Sequence, residues 1–132
     1  MANGTVSFTG SIRYVGPGGV TVQEPVSASV PYNDSNAGII DVAASTPAAT
    51  LFPIPVGSIA NVKAYYIANK TGQDLGVRFN GVGADEFQIP TGSSKMLFCP
   101  TDPAANPLTA ITLTTTAMQV ADGTIEFRVF GD

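Results

Sequence analysis

Apolar and polar residues alternate along most of this chain. In "GTVSFTGSIRYV", Gly4 to Val15, the residues Val6, Phe8, Ile12 and Tyr14 share one parity with Gly10 between them. That is the period-two pattern of a half-buried strand. "GPGG", Gly16 to Gly19, reads as a turn, because glycine supplies positive φ and proline cannot pair. "VTVQEPVSASV", Val20 to Val30, again keeps Val20, Val22, Val26, Ala28 and Val30 on one parity. Pro25 lacks a ladder donor and makes this an edge or bulged strand. The two segments predict an N-terminal hairpin.

The middle is less regular. "PYNDSNAG", Pro31 to Gly38, reads as a loop, and "IIDVA", Ile39 to Ala43, as a short strand. "ASTPAATLFPIPVGS", Ala44 to Ser58, carries Pro47, Pro53 and Pro55, which forbid a regular helix and a central strand. It is expected to be a long surface connection that exposes Leu51, Phe52 and Ile54.

Strand signals become denser towards the C-terminus. Ile59 to Asn69 is apolar on both parities, as in a central strand. Leu75 to Gly81 alternates, and Val62 to Gly81 as a whole reads as a hairpin with a polar centre at Asn69 to Gly72. Glu86 to Pro90, Ser94 to Pro100, Leu108 to Thr116 and Gly123 to Gly131 complete the set. The last places Ile125, Phe127 and Val129 on one face and Glu126, Arg128 and Phe130 on the other. Helix signals are nearly absent, and no composition break marks a second domain. The pattern predicts an all-β fold, a single antiparallel β-sandwich or jelly roll over residues 1–132.

Composition changes this picture in one respect. Only 12% of the 132 residues are charged, against roughly 25% in typical domains. Either Ser, Thr, Asn and Gln dress the surface, or part of it is buried against another chain. The net charge of −4 and the scattered basic residues argue against a phosphate-backbone ligand. The start, Met-Ala-Asn-Gly-Thr, has neither a positive n-region nor an apolar core, so no targeting segment is expected. No apolar run is long enough for a membrane helix.

Candidate chemistry is sparse. The absence of histidine excludes Ser-His-Asp and Cys-His arrangements and histidine-ligated metals. Ser93 and Lys95 share one side of a strand, but nothing in the sequence supplies the desolvated lysine and oxyanion hole that such a pair needs. Glu24, Glu86, Glu126, Asp41, Asp74, Asp85 and Asp102 stand singly in different segments. The oxygen-rich stretches Tyr32 to Asn36 and Gly83 to Glu86 read as polar turns rather than calcium loops. The matches to the glycosylation motif at Asn3, Asn33 and Asn69 read as turns too. Cys99, between Phe98 and Pro100, reads as a small apolar core residue. Tyr65 and Tyr66 must point to opposite faces of their strand, one into the core and one towards a surface where it could anchor a partner. No catalytic residue, metal or cofactor is expected.

The order of these segments resembles the small β-sandwich virion proteins of tailed bacteriophages. The residues that carry the resemblance are Ile67 to Asn69 before a polar turn and Phe79 to Gly81 at a strand end. The turn Ile89 to Gly92, the closing Gly131-Asp132 and the opening strand "GTVSFTGSIRY" complete them. The resemblance implies a non-enzymatic capsid decoration (cement) protein. Such a protein is made in the bacterial host cytoplasm and bound to the outer surface of the head. It implies the major capsid protein as partner and a homo-oligomer, dimer or trimer, with no nucleic acid and no membrane. Expected contact residues are Met1, Ala2, Asn3, Gly4 and Thr5, as an extended arm, with Leu51, Phe52 and Ile54. The alternative is a tail component for receptor recognition, or a carbohydrate-binding module using Tyr65 and Tyr66. The lack of tryptophan counts against a sugar platform.

Overall fold

The computed structural model describes residues 4–98 and 107–132. Within them ten strands form: β1 (Gly4–Val15), β2 (Thr21–Tyr32), β3 (Asp34–Val42), β4 (Leu51–Pro53), β5 (Val62–Lys70), β6 (Leu75–Phe79), β7 (Phe87–Ile89), β8 (Ser94–Phe98), β9 (Ile111–Thr115) and β10 (Gly123–Gly131). The only helical turn among the described residues is the 3-10 turn Pro17–Gly19. The all-β expectation holds.

The last eight strands pair as a nested set: β3 with β10, β4 with β9, β5 with β8 and β6 with β7, all antiparallel. Two further antiparallel pairings, β10 with β5 and β9 with β6, close the set into sheets ordered β3-β10-β5-β8 and β4-β9-β6-β7. A nested ribbon folded in this way is the strand order of a jelly roll. One consequence corrects the reading of Val62 to Gly81 as a hairpin. β5 and β6 follow each other in sequence but lie in opposite sheets, so the segment between them crosses the sandwich.

The facing inner surfaces supply the core. Ile67, Leu75, Val77, Ile89, Leu113, Ile125 and Val129 are fully buried. Each contributes about 1.5–3 kcal/mol by leaving water. On β10 the buried positions are the predicted ones, Ile125, Phe127 and Val129. The ends are tied by backbone approach. Gly131 has no room for a side chain, since a Cβ there would lie 2.0 Å from the Asn61 carbonyl oxygen. The register of β10 on β5 shifts at the same point.

Two segments read as irregular are strands. Pro31 to Gly38 supplies the end of β2 and the first half of β3. β3 is an edge strand: Ser35 is exposed, while Asp34 and Asn36 are half-buried and bond to the Ser58 hydroxyl and the Pro55 carbonyl. The proline-rich segment contains β4, which pairs with β9 at the edge of the second sheet. Proline excludes a central position there but not an edge one.

The predicted N-terminal hairpin is present and stands apart from the sandwich. β1 and β2 pair over their full lengths, from Gly4 opposite Tyr32 to Val15 opposite Thr21. Gly16 closes the turn by donating to the Val20 carbonyl at 2.7 Å. At the usual strand rise this two-stranded arm is about 40 Å long.

Candidate functional site

Cross-strand partners share a face, so the register of the arm defines two surfaces. One carries Val6, Phe8, Ile12, Tyr14, Val22, Val26, Ala28 and Val30, with Gly10 opposite Val26 and a single charge, Glu24, opposite Ile12. The other is mostly Ser, Thr and Pro. The arm is therefore an amphipathic ribbon.

Only its base is covered. β2 touches β10, β5 and β8, so the base lies across the outer face of the first sheet. Tyr32 packs on Phe130 of β10 with ring centroids 5.0 Å apart. Val30 is fully buried, and Val6, Phe8, Val26 and Ala28 are half-buried. A hollow of about 290 Å³ remains beside the base, where Val6 and Phe8 meet Tyr66, Met96, Arg128 and Phe130. Farther out the same face is open to solvent: Ile12 is 52% and Tyr14 45% exposed, and the Tyr14 hydroxyl donates to Glu24 at 3.5 Å. Three strands span roughly 14 Å, which leaves about 25 Å of arm beyond the body. The sequence of contacts, from Tyr32 on β10 to Phe8 near β8, directs the tip out past β8. A two-stranded hairpin gains little stability alone in water.

A second, smaller apolar patch lies on the other side of the sandwich. Leu51 of β4 and Val82 are about half exposed, and with Arg78, Gly83 and Thr112 they border a shallow hollow on the outer face of the second sheet. The loop beneath is positioned by an Asn-Gly turn in which Asn80 (φ 54°) and Gly81 (φ 73°) are both left-handed. The Val82 amide closes this turn by donating to the Phe79 carbonyl at 3.0 Å, at the start of the loop between β6 and β7. The Asn80 Oδ1 accepts from the Thr109 amide at 2.8 Å. Asp85 then folds back over Gly76 and accepts from Arg78 at 2.8 Å.

The expected contact residues separate into groups. Leu51 is exposed as anticipated, and Phe52 packs partly against the core. Ile54 is a correction: at 4% exposure it belongs to the core, because the alternation of β4 continues inward past Pro53. Tyr65 is also in the core, against Phe79, whereas Tyr66 lies half-buried on the outer face below the arm, so the two do point opposite ways. Gly4 and Thr5 are not a loose extension; they pair with Tyr32 and Pro31 at the fixed end of the hairpin. Met1, Ala2 and Asn3 lie outside the described residues, as does Cys99.

The polar residues serve the fold. Asn69 is completely buried; its Nδ2 donates to the carbonyls of Gln73 at 2.8 Å and Ile89 at 2.9 Å. Its Oδ1 accepts from the Thr71 amide at 3.0 Å and the Thr71 hydroxyl at 2.6 Å. Gln73 continues the network by donating to Gln119 at 2.9 Å. These bonds tie together the connections on either side of β5, β7 and β9. Sequence reasoning took Asn69 for a turn residue; the signal for its burial was its place at the end of a strand apolar on both parities. Ser93 and Lys95 have separate partners: the Ser93 hydroxyl donates to the Pro90 carbonyl, and Lys95 lies over the Phe87 ring at 5.8 Å. Among the described residues no group of acidic or cysteine side chains could hold a metal ion, and no helix is long and apolar enough to cross a membrane. No family model, curated protein or solved structure matches this chain.

Proposed function

We propose that this chain is a non-enzymatic structural protein of a tailed bacteriophage virion, which decorates the head and strengthens the shell as a symmetric oligomer. One observation carries this reading: the chain presents exposed apolar surface on both sides, the arm tip at Ile12 and Tyr14 and the Leu51–Val82 patch beyond the opposite sheet. A subunit that cements a lattice must hold a neighbour and the shell at once. Two separate surfaces on a rigid sandwich satisfy that need without chemistry. The low charge of the chain fits surfaces that become buried in an assembly.

The Leu51 patch is the surface assigned to the shell. Particles whose copy of this chain carries Leu51→Asp are expected to lose the protein on washing and to release DNA at a lower temperature. The isolated variant should melt as the wild type does, since the Leu51 side chain is exposed. Full retention of the variant on washed heads would remove this assignment.

The receptor-recognition reading has one observation in its favour, the hollow by the arm base with Tyr66 and Arg128 on its wall. It predicts that Tyr66→Ala lowers adsorption to host cells while leaving particle stability unchanged.

A further inference from the structure

The geometry points to a second copy of this chain as the occupant of the arm: two arms pair edge to edge through β1, and each tip lies on the other copy's body. The inference rests on the proposal above for its setting, a symmetric oligomer on a lattice, but its evidence is the arm itself.

The two edges of the arm differ. β2 carries Pro25 and Pro31, opposite Ser11 and Thr5. A proline within a paired strand must turn its nitrogen to the outer side, so both prolines blunt the outer edge of β2. β1 has no proline over its 12 residues and, among the described residues, pairs with β2 alone. Ladder bonds alternate, so the pairs containing Pro25 and Pro31 set the phase. The amides of Thr9 and Ser11 then face the outer edge of β1. An edge left open on one strand and closed on its neighbour directs strand addition to that strand.

Strand addition between identical edges has a natural symmetry. Two copies of β1 related by a two-fold axis run antiparallel, and each meets the same surface on the other. The product is a four-stranded sheet, β2-β1-β1-β2, with one apolar face. Antiparallel overlap carries each tip back over the other copy, towards the outer face of its first sheet and the region of its β8. There this chain displays Met96, 47% exposed, beside the hollow at the arm base. Ile12 and Tyr14 would cover that apolar surface.

Area supports reciprocity. The projecting part of the arm offers a face of roughly 25 by 10 Å. A one-way contact buries about 500 Å² in total, the size of a packing contact. Reciprocal exchange doubles this to about 1,000 Å², near the lower limit of a specific interface, before the β1 ladder is added. A cyclic trimer would leave each interface at the smaller value.

The test uses the full chain in solution, by sedimentation equilibrium at about 50 µM, a concentration at which a micromolar interface is saturated. Two variants probe it: the double substitution Ile12→Thr with Tyr14→Thr, which removes the apolar tip without setting a second carboxylate against Glu24, and Thr9→Pro, which removes an outward β1 amide. The expected result is a dimer for the wild type and an affinity at least about tenfold weaker for each variant. Circular dichroism and the melting midpoint at low concentration should stay unchanged, since these positions are exposed. A monomeric or trimeric wild type, or a dimer indifferent to both variants, would overturn the inference. Its failure is separable from that of the virion role: a monomer that still occupies the head in regular numbers sinks the exchange alone.

Discussion

Tyr32 lies against Phe130 with ring centroids 5.0 Å apart and planes tilted by 58°, and this contact joins the arm to the sandwich. Tyr32 is among the last residues of the hairpin, and Phe130 stands near the end of the final strand. An aromatic pair of this geometry is worth about 0.5–1.5 kcal/mol beyond its buried area. Tyr32→Ala is expected to cost about 1–2 kcal/mol and lower the melting midpoint by a few degrees. Hydrogen exchange should show the change first in the amides of β1 and β2, with those of β5 and β9 unaffected.

The buried Asn69 makes a sharper prediction. Asn69→Ala would leave the Thr71 amide and hydroxyl and the carbonyls of Gln73 and Ile89 without this partner in a site closed to water. Each buried group left unsatisfied costs about 1–3 kcal/mol. A total loss of about 3 kcal/mol or more is expected in chemical denaturation, well above that of an exposed polar substitution such as Gln88→Ala. A loss below about 1 kcal/mol would show that the network is dispensable.

Acid should weaken the junction between β3 and the segment before β5. Asp34 accepts from the Ser58 hydroxyl, the larger cause, and from the Ser35 amide; together they hold its carboxyl below the ordinary carboxylate value. A group with a depressed folded pKa adds stability that is complete above the unfolded value, roughly 3.9, and is lost as pH falls through the folded value. Asp34→Asn should therefore lower stability at neutral pH and flatten its decline below pH of about 4. Melting curves across pH 2–7 would check both effects, with Ser58→Ala as the variant that removes the larger partner.

The strands were legible wherever one face is buried. The parity of Ile125, Phe127 and Val129, or of Val6, Phe8 and Ile12, could be read directly because period two is the only spacing that keeps such residues together. The pairings were less legible. Nothing local distinguishes a turn that folds a strand back on its neighbour from one that crosses to the other sheet, which is why β5 and β6 read as a hairpin. Edge strands were hidden for another reason. Asp34 to Asn36 are polar and Pro53 lacks a donor, and an edge accepts both. The candidate surfaces were half legible. The apolar face of the arm was present in the alternation, but its separation from the core was not, since exposure is a property of the assembled body. Ile54 shows the converse, a residue in a loop-like stretch that turns inward.

The virion role is the central proposal, and copy number tests it most directly. Under this proposal the chain is to be counted by quantitative mass spectrometry against the major shell protein of purified phage particles. The proposal predicts a ratio of one or a simple fraction of it, as a lattice-bound decoration requires. A handful of copies per particle, or none, would contradict it.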